Sequence, residues 1–118
     1  MAKILTYNQL IIWQKGIQLA LLVYKATSEF PKQELFGLVS QMNRASVSIP
    51  SNIAEGFGRK SRDEFKRFLK ISLGSVYEIK TQLYLSKKIG YVKEPDFKEI
   101  NDIADEVAKI IHVLLKRP

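Results

Sequence analysis

Cysteine is absent from this 118-residue chain. That excludes disulfides, thiolate metal ligands and a cysteine nucleophile. Histidine is nearly absent too: His112 stands alone, which argues against a histidine metal site or a catalytic dyad. Lys109 sits three residues before it, so even one Glu-x-x-His pair of a di-iron bundle is missing. No Gly-x-Ser-x-Gly elbow and no G-x-x-x-x-G-K-[ST] loop occurs. The expectation is a non-enzyme with no metal and no cofactor. Long apolar runs are also lacking. The longest, Leu19 to Tyr24, falls far short of the roughly 20 residues a membrane span requires. No targeting pattern follows Lys3, and a cytoplasmic protein without a membrane partner is expected.

Acidic residues are in short supply as well. Twelve Asp+Glu stand against 19 Lys+Arg, a net charge of +7 and a pI near 9.7. Such a surplus favours anionic partners. Apolar residues make up 46% and charged residues 26%, enough for one globular domain spanning 1–118.

No strand-like alternation or internal repeat appears, and the apolar spacing predicts four helices. The first covers about 10–26, with Trp13, Ile17, Ala20 and Tyr24 on one face. The second covers about 34–57, with Leu35, Leu38, Val39, Met42, Ala45, Ile49 and Ile53 inward. Pro50 lies inside it and predicts a kink near residues 47–49. The third opens at Ser61-Arg62-Asp63-Glu64, where serine and glutamate can satisfy each other's backbone donors. It runs to about Lys88 before Gly90. The fourth runs from about Pro95 to Lys116 on a seam of Phe97, Ile100, Ala104, Val107, Ile111 and Leu114. Short connections favour antiparallel neighbours, so the fold expected is all-α, an up-down four-helix bundle.

The basic excess concentrates in the third helix. Residues 61–90 carry seven basic and three acidic side chains, whereas residues 91–118 carry five and six. Arg62, Lys66, Lys70, Tyr77, Lys80, Tyr84 and Lys87 fall within a sector of about 100° on a helical wheel. Phe65, Leu69, Ser72, Val76, Ile79 and Leu83 fall on the inward side. Arg59 and Lys60 extend the stripe, and Arg67 adds to it. Such a row can neutralise successive phosphates, with Tyr77 and Tyr84 stacking on unpaired bases. The plainer alternative is a solvated face whose tyrosines pack at a helix contact.

Two further groupings stand out. Gln41, Arg44, Asn52, Glu55 and Glu78 are polar residues on the second and third helices. They predict a network that fixes helix register, with Arg44 paired to Glu55 or Glu78, or else a ligand groove. Ile12, Gly16, Leu19 and Val23 form a second apolar line on the first helix. It serves either a second neighbour within the chain or a subunit interface that Gly16 lets approach closely.

The run from Leu38 to Arg59, above all Ser48-Ile49-Pro50-Ser51-Asn52-Ile53-Ala54-Glu55-Gly56, resembles the signature of the bacterial four-helix-bundle proteins encoded in intervening sequences of 23S rRNA genes. Trp13-Gln14-Lys15, Phe36-Gly37-Leu38, Ser61, Glu64-Phe65, Arg67-Phe68-Leu69, Gly74-Ser75 and Glu78 extend the likeness to most of the chain. It implies an antiparallel four-helix bundle and a ring-shaped homopentamer. Nucleic-acid binding is the usual proposal for the family, and a related bundle assists a reverse transcriptase and RNA in diversity-generating retroelements. The chain departs from the pattern at Asn43, where a second arginine is common, and at Ser46 and Ser72, where alanine is common.

The reading that follows is a non-catalytic, self-associating bundle. It binds RNA or DNA through Arg59, Lys60, Arg62, Lys66, Arg67, Lys70, Tyr77, Lys80 and Tyr84. The alternative is a scaffold or accessory subunit for an acidic protein or a polymerase-type enzyme.

Overall fold

The structure, a computed structural model, describes residues 3–118. Four helices follow one another: α1 (Ile11–Thr27), α2 (Leu38–Gly58), α3 (Arg62–Ile89) and α4 (Glu94–Leu115). Short 3-10 turns occur at Tyr7–Gln9 and Lys32–Glu34, and no strand occurs among the described residues. Each helix packs on its neighbour in sequence and α1 packs on α4, while the pairs α1–α3 and α2–α4 do not meet. The helices therefore stand at the corners of a square, in a body of 45 × 25 × 21 Å. This is the expected four-helix bundle.

Apolar side chains from all four helices fill the centre: Leu19 and Val23 from α1, Met42, Ile49 and Ile53 from α2, Leu69, Val76, Ile79 and Leu83 from α3, and Ile100, Val107 and Ile111 from α4. Removing this surface from water is the main force holding the bundle together. The expected inward faces of α3 and α4 are the faces found.

Helix α1 differs. Ile12, Gly16, Leu19 and Val23, considered above for a subunit interface, are buried within the chain itself and cannot supply that interface. The cause is the square arrangement, in which α1 must cover both α2 and α4. A β-carbon at Gly16 would lie 3.4 Å from Ile49 Cγ2 and 3.5 Å from Pro50 Cβ, in ordinary van der Waals contact with α2. Of the other stripe, Ala20 is buried, Trp13 and Ile17 are half-buried and Tyr24 is exposed.

Helix α2 begins four residues later than expected. Residues 32–34 form the 3-10 turn, and Leu35, expected inward, is 54% exposed. The helix runs uninterrupted through Pro50, and the expected kink is not confirmed. Next to that proline, the Ser72 hydroxyl of α3 donates to the Ile49 carbonyl at 2.9 Å. Ser46 likewise donates to the Asn43 carbonyl at 2.9 Å, so both serines that depart from the family pattern are buried and satisfied.

Helix α3 opens as half of the expected capping box. Ser61 Oγ accepts from the Glu64 backbone N–H at 3.3 Å. The Glu64 carboxylate takes both donors of Arg67 instead of returning to Ser61, at 2.9 and 3.1 Å. A two-point charged contact outweighs a single bond to a backbone amide. The helix ends at Gly90, whose φ of +98° lets the Tyr91 N–H donate back to the Ser86 carbonyl at 2.8 Å.

Candidate nucleic-acid interface

The basic stripe of α3 divides into two halves with different surroundings. The C-terminal half faces α4. Lys80 pairs with Asp105, and Lys87 pairs with Glu94 at 2.7 Å. Lys87 also lies 4.3 Å above the Phe97 ring. Tyr77 shares a hydrogen bond with His112 Nε2 at 3.1 Å. These side chains tie two helices together, and the acidic excess of α4 neutralises their charge. Tyr84 is 55% exposed, with Lys88 5.4 Å from its ring centre.

The N-terminal half lies at the end of the bundle where α2 turns into α3. Antiparallel packing brings the C-terminal end of α4 there as well. Arg62 donates to the Pro118 carbonyl and Lys66 to the Arg117 carbonyl. Neither Arg62 nor Lys66 pairs with an Asp or Glu side chain among the described residues, and both are held in place by the main chain at the end of α4. Lys60 and Lys70 are exposed and form no ion pair among the described residues. Arg59 pairs with Glu55 at 3.2 Å, and Arg67 with Glu64.

Aromatic rings order this end. Phe68 is buried, and the guanidinium groups of Arg59 and Arg67 lie 5.2 and 4.5 Å from its centre. Lys60 lies 5.1 Å from the ring of Phe57, which in turn meets Phe65 edge-on at 6.4 Å. Rings attract cations through their negative faces, which limits the positions these long side chains sample. Close packing of the two helices depends on Gly56, where a β-carbon would lie 2.6 Å from Phe68 Cβ.

Within this cluster the Glu64 carboxyl is held below its ordinary range, first by the hydrogen bond from Arg67. The Arg67 guanidinium is correspondingly more strongly basic. Arg117 enters the site through its backbone carbonyl, which accepts from Lys66. Its signal in the sequence is its place at the end of a helix that must run antiparallel to α3.

The polar set on α2 and α3 is dispersed in part. Glu55 belongs to the basic end, about 16 Å along the axis from Arg44, so that expected pair is not made. Asn52 donates to the carbonyl and hydroxyl of Ser48 at 2.8 and 3.0 Å, and Ser48 shares a bond with Ser75 at 2.8 Å. Gln41, Arg44, Ser48, Ser75 and Glu78 line a cleft of about 470 Å³ between the two helices, with Phe36 on its wall. Arg44 and Glu78 share that cleft without forming an ion pair. Asn43 instead turns towards α1 and accepts from the Thr27 hydroxyl at 3.0 Å. The position where the family commonly has arginine thus makes a half-buried helix contact here.

No group of three metal-ligating side chains comes together among the described residues, and no helix is long and apolar enough to cross a membrane. Fold and site together define a small all-α bundle with one positively charged, aromatic-lined end. The chain belongs to the 23S rRNA-intervening sequence protein family, which it matches over residues 8–113. It is similar to a protein of unknown function from the S23 ribosomal protein family of Bacteroides thetaiotaomicron, whose crystal structure superposes with a TM-score of 0.81 at 25% identity. That match covers 91% of this chain and all of the other. No curated protein matches the chain.

Proposed function

We propose that this protein is a non-catalytic, self-associating bundle that binds nucleic acid at its basic end. The supporting observation is that Lys60, Arg62, Lys66 and Lys70 pair with no Asp or Glu side chain among the described residues, Arg62 and Lys66 being positioned by the main chain at the end of α4. Four positive charges in a small area, flanked by the paired Arg59 and Arg67, suit a short stretch of phosphates. Lys80 and Tyr77 contribute by fixing α3 against α4. Tyr84 is the ring of the stripe that no side-chain hydrogen bond holds, whereas Tyr77 is tied to His112. A cytoplasmic setting is part of the same reading.

The experiment is fluorescence anisotropy with labelled single-stranded RNA and duplex DNA over a range of salt. Neutralising about four phosphates gives a log–log salt slope of roughly −3 on a single strand and −4 on a duplex. Absence of binding at low salt removes the proposal, and the preferred ligand decides between RNA and DNA. Self-association falls to apolar side chains outside the core, such as Leu21 on α1 and Leu85 and Ile89 on α3. Light scattering tests it, with a pentamer the state the family resemblance favours and a monomer the result that refutes it.

A protein partner is the second reading, favoured by Phe36, which is 92% exposed beside the exposed Leu35. An acidic protein or a polymerase-type enzyme would then be recovered with the chain, and Phe36→Ala would release it.

A further inference from the structure

We infer that the cleft between α2 and α3 is a binding site for a guanine ring. For a base within a strand this rests on the nucleic-acid reading above; for a free nucleotide it stands apart from it.

Two opposite charges share this cleft and do not meet. Arg44 and Glu78 line the same cleft of about 470 Å³, yet lie farther apart than an ion pair allows. Arg44, Glu78 and Gln41 are exposed and none uses its side chain in a hydrogen bond among the described residues, so all three are open to a ligand. A simple anion would be repelled by Glu78, a simple cation by Arg44, and an apolar group would gain no polar contact from either. The occupant these walls suit presents paired donors to a carboxylate, paired acceptors to a guanidinium, and a flat face to an aromatic ring.

Guanine is the nucleobase with that pattern. Its N1–H and N2–H lie side by side and can both donate to the Glu78 carboxylate. Its O6 and N7 lie side by side and can both accept from Arg44. Adenine offers one donor group between acceptors, cytosine one amino group beside acceptors, and uracil one N–H between two carbonyls. None of them satisfies both side chains with two bonds each.

Phe36 supplies a stacking face at the wall of the cleft and is free to move onto a ligand, being almost wholly exposed. Ser48 and Ser75 are already held by each other and by Asn52, so this part of the lining is formed before a ligand arrives. The volume falls in the range of small-ligand pockets.

Guanosine 5′-monophosphate and adenosine 5′-monophosphate serve as free probes, followed by amide chemical shifts in a protein of 13.5 kDa. Guanosine 5′-monophosphate is expected to shift amides of residues 40–48 and 75–78, and the adenine probe is not. In the strand arm, a uridine octamer with one central guanine is expected to bind about tenfold more tightly than one with a central adenine. Glu78→Gln should remove that preference and keep the affinity for plain uridine octamer, because Glu78 lies away from the basic end. Shifts in the cleft without any octamer binding would keep this site and refute the nucleic-acid reading. Equal octamer affinities with no guanine-specific shifts would overturn the inference. So would the absence of such shifts combined with a change of oligomer mass in Arg44→Ala, which would make the cleft a contact between copies.

Discussion

Lys60 is the one non-glycine residue with a positive φ among those described, at 59°. An L-residue pays about 1–2 kcal/mol to adopt that left-handed conformation, and glycine does not. Lys60→Gly is therefore expected to stabilise the fold by about 1 kcal/mol, read as a higher midpoint in urea. It should at the same time weaken RNA binding two- to threefold, because one phosphate contact is lost. Opposite movement of the two readouts would assign the lysine to binding. Glu64 gives an acid-side test. Its folded pKa lies below the ordinary value of 4.5, chiefly because Arg67 donates to its carboxylate. The stabilisation is thus fully present above pH 4.5 and is lost as pH falls through the lower folded value. Glu64→Gln should flatten the acid limb of the stability profile slightly, since solvent screens so exposed a pair. An unchanged limb would show that the pair adds nothing to stability.

The helices explain their own glycines differently. Gly56 is held against Phe68, and Gly56→Ala should destabilise by about 1–3 kcal/mol through overpacking, despite better helix propensity. Gly74 lies mid-helix on the exposed side of α3 with nothing near its missing side chain, so Gly74→Ala should stabilise by about 1 kcal/mol. Chemical denaturation of the two variants checks both signs. Outside the helices, the Tyr91 hydroxyl donates to Glu34 at 3.0 Å and fastens the α3–α4 connection to the 3-10 turn before α2. That bond, with the adjacent negative charge, raises the phenol's pKa. Tyr91→Phe should lower stability at neutral pH, read as an earlier unfolding midpoint in urea. The contribution of the wild-type tyrosine is present below the ordinary phenol value of 10.0 and is lost as pH rises through the higher folded value. A variant as stable as the parent at pH 7 would refute that fastening role.

Across the whole bundle, charge is sorted by which helices become neighbours. The acidic side of α4 meets the second half of the α3 stripe, and the basic end of α4 meets the first half. Two variants test the consequence. Lys66→Glu combined with Lys70→Glu should weaken nucleic-acid binding at least tenfold and flatten its salt dependence, as expected when about two phosphate contacts are removed. Lys80→Glu should leave affinity nearly unchanged and lower stability by opposing Asp105 across α3 and α4. Equal losses of affinity in both would return the interface to the full length of the stripe.

Four helices, their approximate limits, the inward faces of α3 and α4 and the family are legible in the sequence, because they follow from periodicity, caps and a long motif along the chain. Gly90, Ser61 and the Ile100–Ile111 seam are local signals of that kind. The basic side chains of α3 were equally legible as a set. Their partners were not, because Asp105, Glu94 and the Arg117 and Pro118 carbonyls reach them only after α4 folds back. The same holds for α1, whose two apolar stripes look alike on a helical wheel. Packing between α2 and α4 decides that Ile12, Gly16, Leu19 and Val23 face inward, since burial depends on which neighbours a helix has and spacing records only which residues share a side.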